Sequence, residues 1–412
     1  MSVVTSKSPA AAPVTLKSLS RGYFDRIRGG DLGALPAVLG LLVLCTTFSI
    51  MRPVFLSALN FANLLTQGAA LTVIAMGLIF VLLLGEIDLS AGYASGVCAA
   101  MLAVLLTQQG WPWYAAVLAS LLTGAIIGLA LGVLVAKLGI PSFVVTLAAF
   151  LAFQGVVLLM LKEGTNISIR DSTILAISNN NMTPTLSWAA LALGVVGYAA
   201  TQLWRAYRRN QRGLSAEPLT LIALRVGILT VLAGAAVYAL NQERSRNAII
   251  VSLKGVPIIV PIIGVLLIAL TFVLRRTAYG RHIYAIGGNQ EAARRAGINV
   301  DALRISAFVI CSTMAAIGGV IAASRADSVD PNTGGSNVLL YAVGAAVIGG
   351  TSLFGGKGRI LDAVLGGAVV AVIINGMGLM GYSSGIKYVV TGFVLLLAAG
   401  VDALSRRRTA KR

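Results

Sequence analysis

Long apolar runs recur along this chain from end to end, parted only by short polar segments. Each run is roughly 17 to 27 residues, long enough to cross a bilayer core as a helix at about 1.5 Å per residue. Inside hydrocarbon every backbone N–H and C=O must be satisfied internally, so such runs can only be helices or barrel strands. A barrel would show short alternating segments, and none are visible. The expected fold is therefore an all-α polytopic membrane protein of about twelve transmembrane helices. Their expected limits are 33–51, 58–84, 88–107, 112–136, 141–161, 186–204, 219–240, 257–275, 303–323, 338–354, 360–380 and 386–404. Gly349, Gly350, Gly355, Gly356 and Gly358 crowd the turn between the tenth and eleventh runs, where a broken or re-entrant helix is an alternative to two full spans.

Charge placement orients the bundle. The 412 residues are 57% hydrophobic and only 11% charged, against roughly 25% in soluble domains. The formal charge of +18 invites a nucleic-acid reading, but the basic residues lie in short loops and no soluble basic domain exists to hold them. With the N-terminus inside, the inner segments hold 23 Lys and Arg and the outer ones 8. That bias predicts an even number of spans with both termini cytoplasmic. Residues 1–32 read as a disordered cytoplasmic tail, 33–404 as the transmembrane domain and 405–412 as a basic cytoplasmic tail. The first run has no cleavage site directly after it and reads as a retained anchor.

The chain offers little material for catalysis. Cys45, Cys98 and Cys311 fall inside apolar runs without CxxC pairing, and His282 is the single histidine. No metal site, catalytic triad or bound cofactor is expected, and the chain is read as no enzyme. The run Gly350-Thr-Ser-Leu-Phe-Gly-Gly-Lys357-Gly358 superficially resembles a phosphate loop. Thr351 stands where its first glycine belongs, Gly358 replaces its Ser/Thr, and no strand precedes it, so nucleotide binding on this chain is excluded.

Polar residues within the apolar pattern are the informative ones. Gly85-Glu86-Ile-Asp88-Leu-Ser90-Ala-Gly92 sets two acids between uncharged runs, where an acid costs free energy unless it caps a helix, pairs or reaches water. A helix-cap role for Gly85, Glu86, Asp88 and Ser90 is the favoured reading, with a coupled proton relay of Glu86 and Asp88 as the alternative. Asn60, Asn63 and Gln67 share one helical face, and Gln154 and Asn375 add amides in other spans. Neutral amides suit hydroxyl-rich ligands, so these five are candidate pathway residues; interhelical hydrogen bonding is the competing role. Gly124, Gly128 and Gly132 line one helix face and predict close backbone approach. The internal loop 276–302 is the longest, and Gly287-Gly-Asn-Gln-Glu-Ala-Ala-Arg-Arg-Ala-Gly297 reads as one short surface helix bounded by glycines.

Three blocks carry a resemblance. Asn60-Phe-Ala-Asn-Leu-Leu-Thr-Gln67 running to Gly85-Glu-Ile-Asp-Leu-Ser90, then Gly287-Gly-Asn-Gln-Glu-Ala-Ala293 with Gly297-Ile-Asn299, then Val347-Ile-Gly-Gly-Thr-Ser-Leu-Phe-Gly-Gly356 resemble, in this order, the monosaccharide permeases of bacterial ABC importers. The family commonly has Gly where Glu86 stands, and this variant looks like the xylose-type branch, as does an extra pair of spans at 186–204 and 219–240 added to a core of about ten. The resemblance implies a homodimeric permease in the bacterial inner membrane. It also implies a cytoplasmic ATP-binding subunit that docks on 276–302 through Glu291, Ala292, Ala293 and Gly297, and an external sugar-binding protein that delivers a monosaccharide such as xylose. ATP would be bound by the partner subunit, not by this chain. An ion-coupled secondary transporter for a small polar solute is the alternative function.

Overall fold

The computed structural model describes residues 33, 35–162, 165–213, 218–245, 247 and 252–410. The tail expected over 1–32 and the last two residues of the one expected over 405–412 lie outside these. The chain divides into two compact units, one containing Met182–Val256 and the other made of Gly33–Asn181 and Pro257–Arg406.

The larger unit opens with α1 (Leu35–Met51) and a 3₁₀ turn at Pro53–Leu56. Ser57 then caps α2 (Ala58–Gln67), accepting from the Asn60 N–H. A one-residue turn at Gly68 separates α2 from α3 (Ala69–Leu83), and the Thr72 hydroxyl donates to the Gly68 carbonyl there. α4 (Ala91–Ala103) ends in a π-turn at Val104–Gln108. α5 (Trp113–Ala136), α6 (Ser142–Leu161), β1 (Ile167–Ser168) and α7 (Ser172–Asn179) follow. Asp171 caps α7 by accepting from the Thr173 and Ile174 N–H groups.

After the smaller unit's α8 (Pro184–Gln211) and α9 (Leu219–Asn241), the larger unit resumes with α10 (Ile259–Arg276). Next come α11 (Ala278–Gly288), α12 (Gln290–Arg295), α13 (Val300–Ala326) and β2 (Ser328–Val329). The chain closes with α14 (Ser336–Ile348), α15 (Ile360–Leu379) and α16 (Ser384–Ala410). β1 and β2 pair antiparallel, Ile167 opposite Val329.

Among the described residues nine helices are long and apolar enough to cross a membrane, and Leu35–Met51, Asn337–Ile348 and Ser384–Leu397 are shorter apolar helices. The protein is a multi-pass, all-helical membrane protein. Two stretches differ from the sequence expectation. The span expected at 338–354 stops at Ile348, because Gly350, Gly355 and Gly356 all take positive φ and unwind the backbone. The single helix expected over 287–297 is two helices. Asn289 takes an extended conformation and caps α12 by accepting from the Ala292 N–H at 2.9 Å.

α3, α4, α13 and α15 are the most deeply buried spans, whereas α8, α9 and α10 expose most of their surface. α13 is central, packed along α3, α4 and α5. The glycine face of α5 explains part of this closeness. A Cβ on Gly124 would stand 2.6 Å from the Ser312 carbonyl oxygen, and one on Gly132 would stand 2.7 Å from the Ile305 Cα. Only hydrogen at these positions lets the two backbones meet.

The smaller unit is a helical hairpin that closes on itself. The Met182 N–H donates to the Val256 carbonyl at 2.8 Å, and the Val256 N–H donates to the Ser187 hydroxyl at 3.1 Å. The loop after α9 is tied by Glu243, whose carboxylate accepts from the N–H groups of Arg244, Ser245 and Leu253 and from the Ser252 hydroxyl. These bonds favour the charged form, led by the Leu253 N–H, and draw the Glu243 carboxyl down to about 2. The buried Arg244 guanidinium donates to the carbonyls of Leu240 and Gly255.

Candidate functional site

The end of the first motif block meets the second and third, far away in sequence, at one end of the larger unit. The turn between α3 and α4, the loop between α14 and α15, and the α11–α12 segment pack against one another there. The Gly356 N–H donates to the Leu83 carbonyl at 2.9 Å. Gly287 lies on that same carbonyl and beside Gly356, so closely that a side chain at 287 would collide with both. Gly85, with φ at +78°, faces the Phe354 carbonyl. The Tyr284 hydroxyl donates to the Gly358 carbonyl at 2.7 Å, and burial pushes its phenol above the ordinary value. α6 closes the far side, where the Ile87 N–H donates to the Ser142 hydroxyl and the Thr146 hydroxyl reaches the Ile87 carbonyl, each at 3.3 Å.

The two acids of the first block take separate partners. Glu86 pairs with Arg304, Oε1 to Nη2 at 2.7 Å. Asp88 is fully buried, and its Oδ1 accepts from the Ser90 N–H at 2.9 Å and the Ser90 hydroxyl at 2.6 Å. Those bonds form a tight turn just ahead of α4, with Ser90 as the residue preceding the helix. Just after the third block the Asp362 carboxylate binds the Arg359 guanidinium at 2.8 Å and accepts from the Arg359 N–H, fixing the start of α15.

Of the expected docking residues, Glu291, Ala292 and Gly297 lie on the exposed side, and Ala293 turns inward and is buried. Glu291 holds Arg295 at 3.2 Å, one turn along α12. Gly297 takes φ at +82° and ends the segment, its N–H on the Arg294 carbonyl.

The expected pathway amides do not form one cluster. Gln67 and Asn375 meet, the Asn375 amide donating to Gln67 Oε1 at 3.3 Å. Next to them in sequence, the Thr66 hydroxyl receives an N–H from the Arg325 guanidinium at 2.8 Å. Asn60 is buried and donates to the Phe55 carbonyl at 2.9 Å, which ties α2 to the preceding turn. Asn63 is exposed and Gln154 half-buried on α6. Sequence reasoning missed Arg304 and Arg325, counting both only as surface charge. Their signal was a lone arginine near each end of an otherwise uncharged run.

Residues 60–399 match a family described as branched-chain amino acid transport system / permease component. The xylose transport system permease protein of Escherichia coli (strain K12) is 35% identical over 96% of this chain and 98% of its own length. The protein of the same name from Haemophilus influenzae is 32% identical over 93% and 99%. The ribose import permease protein of Escherichia coli (strain K12) is 30% identical over 89% and 92%. No solved structure matches the chain. With a match spanning most of the chain and relatives covered almost end to end, the protein belongs to this family of transport permeases and is not an enzyme.

Proposed function

We propose that this chain is the membrane-spanning subunit of an ATP-driven importer for a monosaccharide, xylose or a close relative. It lies in a bacterial cytoplasmic membrane with twelve spans and both termini inside, ten of them a core and α8 and α9 an added pair. It works as a homodimer, receives sugar from an external binding protein and docks a cytoplasmic ATP-binding subunit on α11 and α12. ATP stays on that subunit, and the chain itself needs no cofactor.

The observation that carries this reading is the seating of α11 and α12. Gly287 rests on the last carbonyl of α3, one of the most buried helices, while Glu291, Ala292 and Gly297 stay open to a partner. A push on the exposed side of α12 is thus delivered to the ends of α3 and α4, and close-packed interiors transmit such shifts rather than absorb them. Gln67 and Asn375, on α2 and α15, supply neutral donors and acceptors of the kind hydroxyl-rich sugars require. The xylose and ribose names of the relatives support the substrate class.

The test is purification of the tagged chain from its native membrane in mild detergent, with uptake measured in parallel. A stoichiometric ATPase partner, lost on Glu291→Arg with Gly297→Leu while membrane insertion persists, is the expected result. A single polypeptide whose uptake survives ATP depletion and collapses with an uncoupler overturns it in favour of an ion-coupled transporter.

A further inference from the structure

We propose that Arg304 is a positioning residue that locks the α11–α12 segment to the α3–α4 turn, so that both move as one piece. One guanidinium nitrogen, Nη2, stands 2.7 Å from Glu86 Oε1 and 2.9 Å from Gln290 Oε1. Its two N–H groups serve the two acceptors, one on each segment. α13 supplies the arginine, so the α3–α4 turn is joined through one atom to the neighbouring α12 and α13, more than 200 residues further along the chain.

The environment sets this pair apart from its neighbours. Glu86 and Arg304 are 13% and 18% exposed, whereas Glu291 and Arg295 are 63% and 80% exposed. Lys137 and Arg294 also approach Asp301, but at 3.3 and 3.9 Å and in the open. Exposed pairs of that kind contribute little, being screened by water and salt. The Glu86 pair is shielded, so separating its charges is costly and the connection resists being pulled apart. As plain stabilisation the arrangement is poor, since Arg304 Nε is buried with no acceptor among the described residues. What it provides is fixed geometry. Gly287 gives the segment a hard stop against Leu83, and Arg304 gives it a tether that acts in tension. A coupling segment with contact alone could push the α3–α4 turn; with the tether it can also pull. This inference rests on the docking role proposed above.

The experiment compares Arg304→Gln, Glu86→Gln and the swapped pair Glu86→Arg with Arg304→Glu. Each is purified with its ATPase partner and reconstituted in proteoliposomes. Three quantities are read: the ATP hydrolysed per sugar imported, partner co-purification, and hydrogen exchange over 84–90 and 278–297. Each single variant is expected to keep its partner, to raise ATP consumed per sugar at least fivefold, and to speed exchange in both segments together. The swap is expected to recover both readouts, because the Gln290 amide can turn over and donate to a glutamate at 304. Wild-type values in Arg304→Gln overturn the tether, as does a swap no better than the single variants when all of them fold. Faster exchange in one segment alone also overturns it. Wild-type chain that binds no ATPase overturns the docking reading itself, and that outcome is recognised from the unmutated control.

Discussion

Gly287 rests its backbone on the carbonyl of Leu83, the same carbonyl that takes the Gly356 N–H. One oxygen at the end of α3 therefore serves two segments, one by hydrogen bond and one by contact. A Cβ at 287 would stand 2.5 Å from the Gly356 nitrogen, whereas one at the adjacent Gly288 meets nothing within 4 Å.

Gly287→Ala is accordingly expected to lower the thermal stability of the purified protein, by about 1–3 kcal/mol, and to reduce uptake strongly. Gly288→Ala should leave both within error. The check is a pair of melting curves with uptake measured on the same preparations. Equal behaviour of the two variants would contradict the contact.

The glycine face of α5 makes a parallel prediction within the bundle. A Cβ on Gly128 would stand 2.5 Å from the Val309 Cα, while Gly155 on α6 has open space. Gly128→Val should cut the amount of folded protein recovered from membranes severalfold, and Gly155→Ala should not. Size-exclusion profiles of the two variants at equal expression distinguish them.

The amides differ in burial: Asn60 is buried, whereas Gln67 and Asn375, the proposed pathway pair, are half-buried. Asn60→Ala orphans the buried Phe55 carbonyl and is expected to lower stability by about 1–3 kcal/mol. Gln67→Ala and Asn375→Ala should leave melting nearly unchanged and raise the apparent KM for sugar uptake. A stability loss in Asn375→Ala equal to that in Asn60→Ala would move that residue to the structural group.

The Glu243 carboxyl is held at about 2, below its ordinary 4.5. A lowered folded-state value stabilises the fold above the ordinary value, and that contribution is lost as pH falls through 4.5 toward 2. A spin label in the 242–255 loop should therefore gain mobility between pH 4.5 and 2. Glu243→Gln should be as mobile at neutral pH as the wild type is at low pH. Mobility that ignores pH in the wild type would contradict the hydrogen-bond cause.

Helix positions were legible in the sequence because length and apolarity alone decide which segments can cross a bilayer. Which of them are buried was not. α3 and the α10 helix up to Leu274 are both almost wholly apolar, yet α3 is enclosed by protein and α10 is largely exposed. Lipid removes the polar face that would tell the two apart in a soluble protein. The three motif blocks were legible one by one, but their convergence was not, since nothing in local pattern places Leu83, Gly287 and Gly356 together. Local pattern puts Asn289 inside one helix, whereas its capping geometry makes it the break between two. Arg304 was not legible, because a single arginine at a helix end has the pattern of a surface anchor, and its partners Glu86 and Gln290 are set by the fold.

The hairpin of α8 and α9 departs from and rejoins the chain at one point. Asn181 bridges to Pro257, the Ile258 N–H donates to the Asn180 carbonyl at 3.1 Å, and Met182 bonds to Val256 just beyond. Residues 181 and 257 are thus already neighbours, and because their bridge is antiparallel a short turn in place of 182–256 would be enough to rejoin the chain. A chain shortened in that way, with a few turn residues standing for 182–256, is open to direct construction.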